Sequence, residues 1–521
     1  MADTRTTKHA FEQVATWYPE KTAFVQAFSD RRVTFAEANV RARRIANGLA
    51  DRGVELGDRV AVLADPSIEH ACVFFGVQKL GAVCSTLHVR ESRSVLEEMV
   101  RDLGARAVVF DHAYADVAEA LAEDDNDVET CVEYGREAGE SSVVTSLSDL
   151  EAGAAETEPD VDVAPDDVAF VNFSSGTTGR PKGVVHTHEQ AVEACHAGQY
   201  MFSSTDRDTL LNASTPSFIA WKILTFPITN VGGTVVFMGE WQPARVGEVV
   251  DAEDVTLLNL VPTQWKMVAR HGLDPEQFSS LRMAGYGGEP MGVELFEQLR
   301  ASVSEDVTAQ YGTTETVNSG LCLLPHRVTQ ETLSSIGRPA PNVDVRILEP
   351  DTHDPDAEVP DGEVGELVVR GPAVATRVWN DPEKTAEIFH DEGWWFSGDL
   401  AERREDGNVY LRGRTDNMII SGGINIYAEG VETVLESHPD VVESAVVGVP
   451  DEEWGERVTA YVVASGELTA EALDDWCVAS EDLADYQRPR AYEFVDALPR
   501  TNTGKLNRAE LRKRETGLDE E

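Results

Sequence analysis

The sequence predicts an α/β protein: a large N-terminal domain of α/β subdomains plus a β-barrel-like subdomain, followed by a small mobile α+β domain. Three observations carry this expectation. The chain has 521 residues, more than one hydrophobic core usually fills. Apolar strand-like runs alternate with helix-length segments through its first part, the pattern of largely parallel sheets. From Glu366 the texture changes to short strands joined by tight turns, and the final stretch mixes helix and strand compactly.

Each element follows from local chemistry. Thr34-Phe35-Ala36-Glu37 forms a capping box, so a helix runs from there to about Arg52, with Gly53 placed to end it. Val60 to Leu63 reads as a buried strand. A helical stretch through Phe74 and Phe75 follows, and Gly81-Ala82-Val83 opens the next strand. Val108 to Phe110 is another short strand. Glu151 to Asp167 is acidic, carries Pro159 and Pro165, and lacks apolar periodicity, so it reads as a surface connection. Val168 to Phe173 is an apolar strand entering a Gly/Ser/Thr-rich loop. Further on, Leu367 to Gly371 and Val409 to Leu411 read as strands. A helix is expected near Glu429 to Glu436, and strands at Ser444 to Val449 and Thr459 to Val463. The charged tail after Leu511 is expected to fray.

Composition limits the partners. Apolar residues make up 42% of the chain, enough for a packed interior. Acidic residues outnumber basic ones 93 to 44, for a formal net charge of -49. Such a surface repels nucleic acid and anionic membranes, so neither is expected as a partner. Concentrated salt screens the self-repulsion, since the Debye length falls to ~3 Å near 1 M. With 9 Lys against 35 Arg, the expectation is a salt-adapted cytoplasmic protein, for which a homodimer is allowed. Six widely spaced cysteines include no CxxC pair, so neither a zinc site nor a dense disulfide framework is indicated. The N-terminus lacks the apolar stretch of a signal peptide, and no run reaches the ~18 apolar residues of a membrane span.

The strongest chemical signal is Ser174-Ser175-Gly176-Thr177-Thr178-Gly179-Arg180-Pro181-Lys182-Gly183. Glycines let the backbone approach an anion, the hydroxyls donate to phosphate oxygens, and Lys182 adds positive charge. The GxxxxGK[ST] spacing of a P-loop is absent. The segment resembles the signature [ST]-[ST]-G-[ST]-T-G-x-P-K-G of the adenylate-forming family: acyl-CoA synthetases, firefly-type luciferases and peptide-synthetase adenylation domains. The resemblance continues in order along the chain. Gly287-Gly288-Glu289-Pro290 looks like the adenine-flanking turn, and Tyr311-Gly312-Thr313-Thr314-Glu315 like the YGxTE motif. Trp395 to Asp399 matches W-[FY]-x-[ST]-G-D. Gly413 to Asp416 matches the hinge motif, and Pro499 to Lys505 the PRTxxGK motif.

The resemblance implies two half-reactions. A carboxylate attacks the α-phosphorus of ATP to give acyl-adenylate and pyrophosphate, and the thiol of coenzyme A then takes the acyl group. It implies an N-terminal AMP-binding domain over 1–413, a hinge at 414–417 and a mobile domain over 418–521. Glu315 is implied as the Mg²⁺ ligand and Thr314 as a donor to the α-phosphate. Tyr311, with Gln310, Gly312 and Thr313, is implied to flank adenine. Asp399 would take the ribose hydroxyls, and Arg414 ribose or phosphate oxygens. Lys505 would bridge the incoming carboxylate and the α-phosphate. Asp416 is the implied hinge residue, and Ser421-Gly422-Gly423 the loop along the pantetheine channel of CoA.

Departures from the pattern bear on the acid. Relatives that use fatty acids often carry P-x-F-H; here Pro216-Ser217-Phe218-Ile219 places Ile219 where the His would stand. Gly430 replaces a frequent Glu. His186 and His188 are expected to pack at a helix start rather than bind metal. Phe218, Ala220, Trp221, Tyr286, Gly287, Gly312 and Thr313 are expected near the acyl pocket, with a tilt toward medium-chain or longer aliphatic acids and aryl acids as the alternative. A peptide-synthetase module would need a carrier domain, and none follows Lys505 in this sequence. A luciferase-like oxygenase shares the nucleotide motifs. A non-catalytic nucleotide sensor leaves Lys505, Glu315 and Asp399 without a purpose.

Overall fold

The computed structural model describes residues 5–123, 127–135, 144–175, 181–350, 352, 354, 356–451, 454–480, 482–500 and 506–516. The chain divides into two compact units, Met1–Val345 with Val369–Trp395, and Arg346–Val368 with Phe396–Glu521.

The first unit contains a seven-stranded sheet in the order Val144–Ser146, Thr130–Tyr134, Ala105–Asp111, Arg59–Leu63, Val83–Thr86, Val168–Ser175, Pro181–Thr187. All its pairings are parallel except the last, where Pro181–Thr187 folds back on Val168–Ser175. A second sheet places Thr22–Gln26, Thr234–Phe237, Thr209–Asn212, Leu257–Asn259, Met283–Gly287 and Val307–Tyr311 side by side, all parallel. Parallel strands need helices across their faces, which is why their sequences are nearly continuous apolar runs.

Helix Phe35–Ala50 begins with the predicted capping box: the Thr34 hydroxyl accepts from the Glu37 N–H at 3.2 Å, and Glu37 accepts from the Thr34 N–H at 2.8 Å. Helix Ile68–Leu80 is buried nearly all round and ends on left-handed Gly81. The acidic connection after Ala152 is pinned rather than loose. The ammonium of Lys79, fully buried, meets Glu12 at 2.9 Å and Glu158 at 2.8 Å. Lys8 donates to the carbonyls of Pro159 and Val161. Glu158 in this stretch thus serves as a counter-ion for a buried cation.

The second unit holds the strands Asp344–Leu348, Val364–Arg370, Trp394–Arg403 and Val409–Arg414, whose ends reach past the unit boundaries. They run side by side in that order, and Val409–Arg414 continues to Ser335–Pro339. Its other sheet orders Ile424–Tyr427, Met418–Ser421, Gly455–Ala464 and Val441–Asp451, with Ala491–Phe494 pairing Gly455–Ala464. Helix Ala428–Glu436 packs on Val441–Asp451. The tail departs from expectation: Arg508–Thr516 is helical. Leu511 is fully buried there, and Arg514 pairs with Glu510 one turn back at 2.8 Å. All six cysteines are buried free thiols. No helix among the described residues is long and apolar enough to cross a membrane.

Candidate active site

The strand Val168–Ser175 is the base of the first unit's site. Side chains alternate across a strand, so Phe170, Asn172 and Ser174 share one face. Gly176, Thr177, Thr178 and Gly179 lie outside the described residues, as does Arg180. The chain returns on Pro181–Thr187, with Ser174 opposite Lys182. The Lys182 ammonium meets Glu315 Oε1 at 2.7 Å. Glu315 is 5% exposed, so the pair is largely withdrawn from water. Burial alone would raise the Glu315 pKa, but the charge and hydrogen bond of Lys182 outweigh it and hold the group below the usual range. Glu315 is therefore an anion at neutral pH. The Ser174 hydroxyl is buried and meets no partner among the described residues.

The Tyr311–Glu315 turn is tightly built. A Cβ on Gly312 would fall 2.3 Å from the Asn318 Cα, so no side chain fits there. The Thr313 N–H donates to Thr316 Oγ1 at 3.0 Å. Across the turn, His186 Nε2 lies 2.9 Å from the Thr314 carbonyl. A carbonyl only accepts, so the proton sits on Nε2. Burial lowers the His186 pKa to about 4, which keeps the ring neutral. His186 thus does more than pack: it ties the strand after the phosphate loop to the motif that carries Thr314 and Glu315. His188, by contrast, opens helix His188–Phe202, with Nδ1 2.7 Å from the Thr7 hydroxyl.

At the predicted adenine side, Gln310 donates to Asn259 Oδ1 at 3.0 Å, and Tyr311 is only 8% exposed. Gly288, Glu289 and Pro290 are exposed, with Gly288 in the left-handed region at φ +81°. Glu289 caps helix Pro262–Arg270, accepting from the Thr263 N–H and hydroxyl.

Two residues expected near the acyl pocket are buried. Trp221 is fully buried, set among Phe74, Phe226, Phe237 and His70 at ring separations of 5.7, 6.3, 6.0 and 4.6 Å. It is a core ring, because helix Ile219–Asn230 is apolar nearly all round and packs inward there. Tyr286 is 3% exposed, and its hydroxyl is spent on the Leu333 carbonyl at 3.2 Å. Gly287, beside it, is half-buried. Phe218 is 40% exposed, at the helix start, against the His88 ring.

In the second unit, Asp399 lies opposite Arg414 across paired strands, and the guanidinium donates to Asp399 Oδ1 at 2.7 Å. The Ser397 hydroxyl accepts from the Asp399 N–H, fixing the turn. Arg414 also reaches Asp416 at 3.0 Å, and the Asp416 carbonyl accepts from Arg512 at 3.1 Å. The Ser421–Gly423 loop turns between Met418–Ser421 and Ile424–Tyr427, with Gly422 and Gly423 both at positive φ. The Gly422 N–H donates to the Trp454 carbonyl at 2.7 Å. A Cβ on Gly422 would lie 3.1 Å from the Trp454 ring, which is half exposed. Sequence reading missed Trp454; its one signal was an aromatic residue in an otherwise charged Asp-Glu-Glu-Trp-Gly-Glu turn. Lys505 lies outside the described residues.

Residues 11–379 match the family model for AMP-binding enzymes, and residues 430–505 the model for the C-terminal domain of those enzymes. The chain belongs to the AMP-binding enzyme family. Among its relatives is the long-chain-fatty-acid–CoA ligase FadD13 of Mycobacterium tuberculosis, 32% identical over 96% of this chain and 96% of that protein. Feruloyl-CoA synthase of an Amycolatopsis species is 35% identical over 92% of this chain and 94% of its own length. The ATP-bound structure of MatB from Rhodopseudomonas palustris superposes with a TM-score of 0.87 at 29% identity, covering 97% of this chain and 98% of that one. The chain is thus a mixed α/β enzyme of the ligase class that works with ATP, CoA and Mg²⁺.

The donors present suit that metal. Among the described residues no group of three or more His, Cys, Asp or Glu side chains is gathered as a cage. Mg²⁺ does not require one, since it is commonly held by one or two carboxylates plus substrate phosphates. Glu315 supplies such a carboxylate, ionised and buried beside the strand that enters the phosphate loop.

Proposed function

We propose that this AMP-binding enzyme joins a carboxylic acid to coenzyme A through an acyl-adenylate, releasing AMP and pyrophosphate. The observation that carries the reading is the buried Lys182–Glu315 pair, 2.7 Å long, set beside the Ser174 strand end and braced through Thr314 by His186.

Adenylation brings two anions together, so the site must supply positive charge and withdraw water. Lys182 would move from Glu315 to the polyphosphate, and Glu315 would hold Mg²⁺. The metal, bound to the phosphates, would neutralise the charge that develops on them. Thr314 and the Ser174 hydroxyl donate to phosphate oxygens. Asp399 accepts from the ribose hydroxyls, and Arg414 neutralises it when no nucleotide is there. Lys505 then brings carboxylate and α-phosphorus together, and the Ser421–Gly423 loop with Trp454 serves the thiol step. We assign residues 1–413 to the AMP-binding domain, 414–417 to the hinge and 418–521 to the mobile domain, with Asp416 as the pivot.

For the acid, the tilt toward long aliphatic chains loses its support once Trp221 is a core ring, and a compact acid fits better. The acidic excess favours a salt-adapted cytoplasmic enzyme, for which a homodimer is allowed. A melting temperature that rises with KCl supports that adaptation, and a flat series removes it. Acid-dependent ATP–pyrophosphate exchange, followed by CoA-dependent release of AMP, tests the reaction. The absence of exchange with every acid would favour a nucleotide sensor.

A further inference from the structure

Lys222, in the first turn of helix Ile219–Asn230, is 1% exposed. Its ammonium donates to Asn172 Oδ1 at 2.8 Å and to the Pro216 carbonyl at 3.2 Å, with the Phe170 ring 5.4 Å away. Two of its three donors are thus used, both on neutral oxygens. Among the described residues no carboxylate pairs with it, although the chain carries more than two acids for every base. Lys79, equally buried, shows the contrast: two glutamates meet it within 3 Å. A buried cation without a counter-ion is unfavourable, and burial draws its pKa down to about 8.

Its surroundings also carry unmet polar groups. His70 Nδ1, His88 Nε2 and Trp221 Nε1 are buried and have no partner among the described residues. Asn172, which holds the ammonium, donates from its amide to the Ser217 carbonyl at 3.0 Å. The Ser217 hydroxyl lies 3.1 Å from His88 Nδ1, and exposed Phe218 covers the His88 ring. Asn172 is two residues short of Ser174 on the same strand face, or ~7 Å from the phosphate-loop end. The cation therefore sits close to the strand end that enters the phosphate loop. Behind it Phe74, Phe170, Trp221 and Phe226 fill the interior.

We propose that Lys222 is a specificity-determining residue that receives a second carboxylate on the acid, making the substrate a short dicarboxylic acid. This rests on the acyl-adenylate reading and deepens it. One carboxylate is activated at the phosphate loop, and the other provides the counter-ion that Lys222 lacks. Entry past Phe218 suits an acid of a few carbons, since the aromatic cluster leaves no depth for a long chain.

The test is ATP–pyrophosphate exchange on the full chain with matched acids: malonate against propanoate, succinate against butyrate, glutarate against pentanoate. The wild-type enzyme is expected to favour one dicarboxylate over its partner at least tenfold in kcat/KM. Lys222→Met is expected to lower that ratio at least tenfold. Should that variant fold poorly, Asn172→Asp places a carboxylate on the ammonium in nearly the same volume and should lower the ratio likewise. Exchange confined to monocarboxylates, or a ratio unchanged in both variants, overturns the assignment while leaving the acyl-adenylate reading intact. A lack of exchange with acids of either kind overturns both.

Discussion

Replacing Glu315 by Gln removes one charge and little volume from the centre of the proposed chemistry. The carboxylate is 5% exposed and 2.7 Å from Lys182. At an effective dielectric near 20, two unit charges at that distance attract by ~6 kcal/mol. Most of this is offset by the desolvation of both groups, and Lys182, still partly exposed, can turn to water once the charge is gone. The stability loss should therefore be only ~1–2 kcal/mol, the scale of a charged hydrogen bond. The rate loss should be larger. Glu315 is proposed to hold the metal that offsets charge as the α-phosphorus is attacked, and one such electrostatic contact is typically worth ~3–4 kcal/mol, or ~10²–10³ in rate. Pyrophosphate exchange measured against Mg²⁺ concentration should show that fall, with saturation moved to higher Mg²⁺, while the variant still melts cooperatively. An unchanged rate and Mg²⁺ dependence, or a loss fully accounted for by unfolding, would refute the role given to Glu315.

Three further outcomes follow from named contacts. His186→Ala takes the donor from the part-buried Thr314 carbonyl, so stability should fall by ~1–3 kcal/mol, and KM for Mg·ATP should rise where a purely structural lesion leaves it unmoved. Burial alone would raise the Glu12 pKa, but Lys79 and Asn39 hold it at about 2, below the ordinary glutamate value of 4.5. The carboxylate's contribution is then fully present above about pH 4.5 and is lost as pH falls toward 2. The difference in urea-unfolding free energy between wild type and Lys79→Met should accordingly narrow over that window, and a constant difference would contradict the pairing. Trp454→Ala removes the exposed ring beside Gly422 and should raise KM for CoA while leaving pyrophosphate exchange untouched.

Local chemistry made much of this legible. The Thr34–Glu37 box, the Val168–Ser175 strand and the tight Gly312 turn depend on residues near each other in the chain, and their patterns carry over directly. What sequence reading missed depends on distant partners. Lys79 meets acids 67 and 79 positions away, and His186 meets a carbonyl 128 positions on. Neither pairing leaves a local signal. The burial of Trp221 was illegible for a related reason. A helix apolar on nearly every side gives no period by which to tell a pocket wall from core, and three rings from other elements surround Trp221. Lys222 is the converse case: a lone charge in an apolar helix stands out in sequence, yet only the structure reveals that nothing neutralises it.

The most direct measurement separates the two half-reactions in Lys505→Ala. If that lysine joins carboxylate to α-phosphorus, acid-dependent pyrophosphate exchange should vanish, while thioester formation from supplied acyl-adenylate and CoA proceeds at close to the wild-type rate. Exchange that survives the substitution, or equal loss of both steps, would contradict the account.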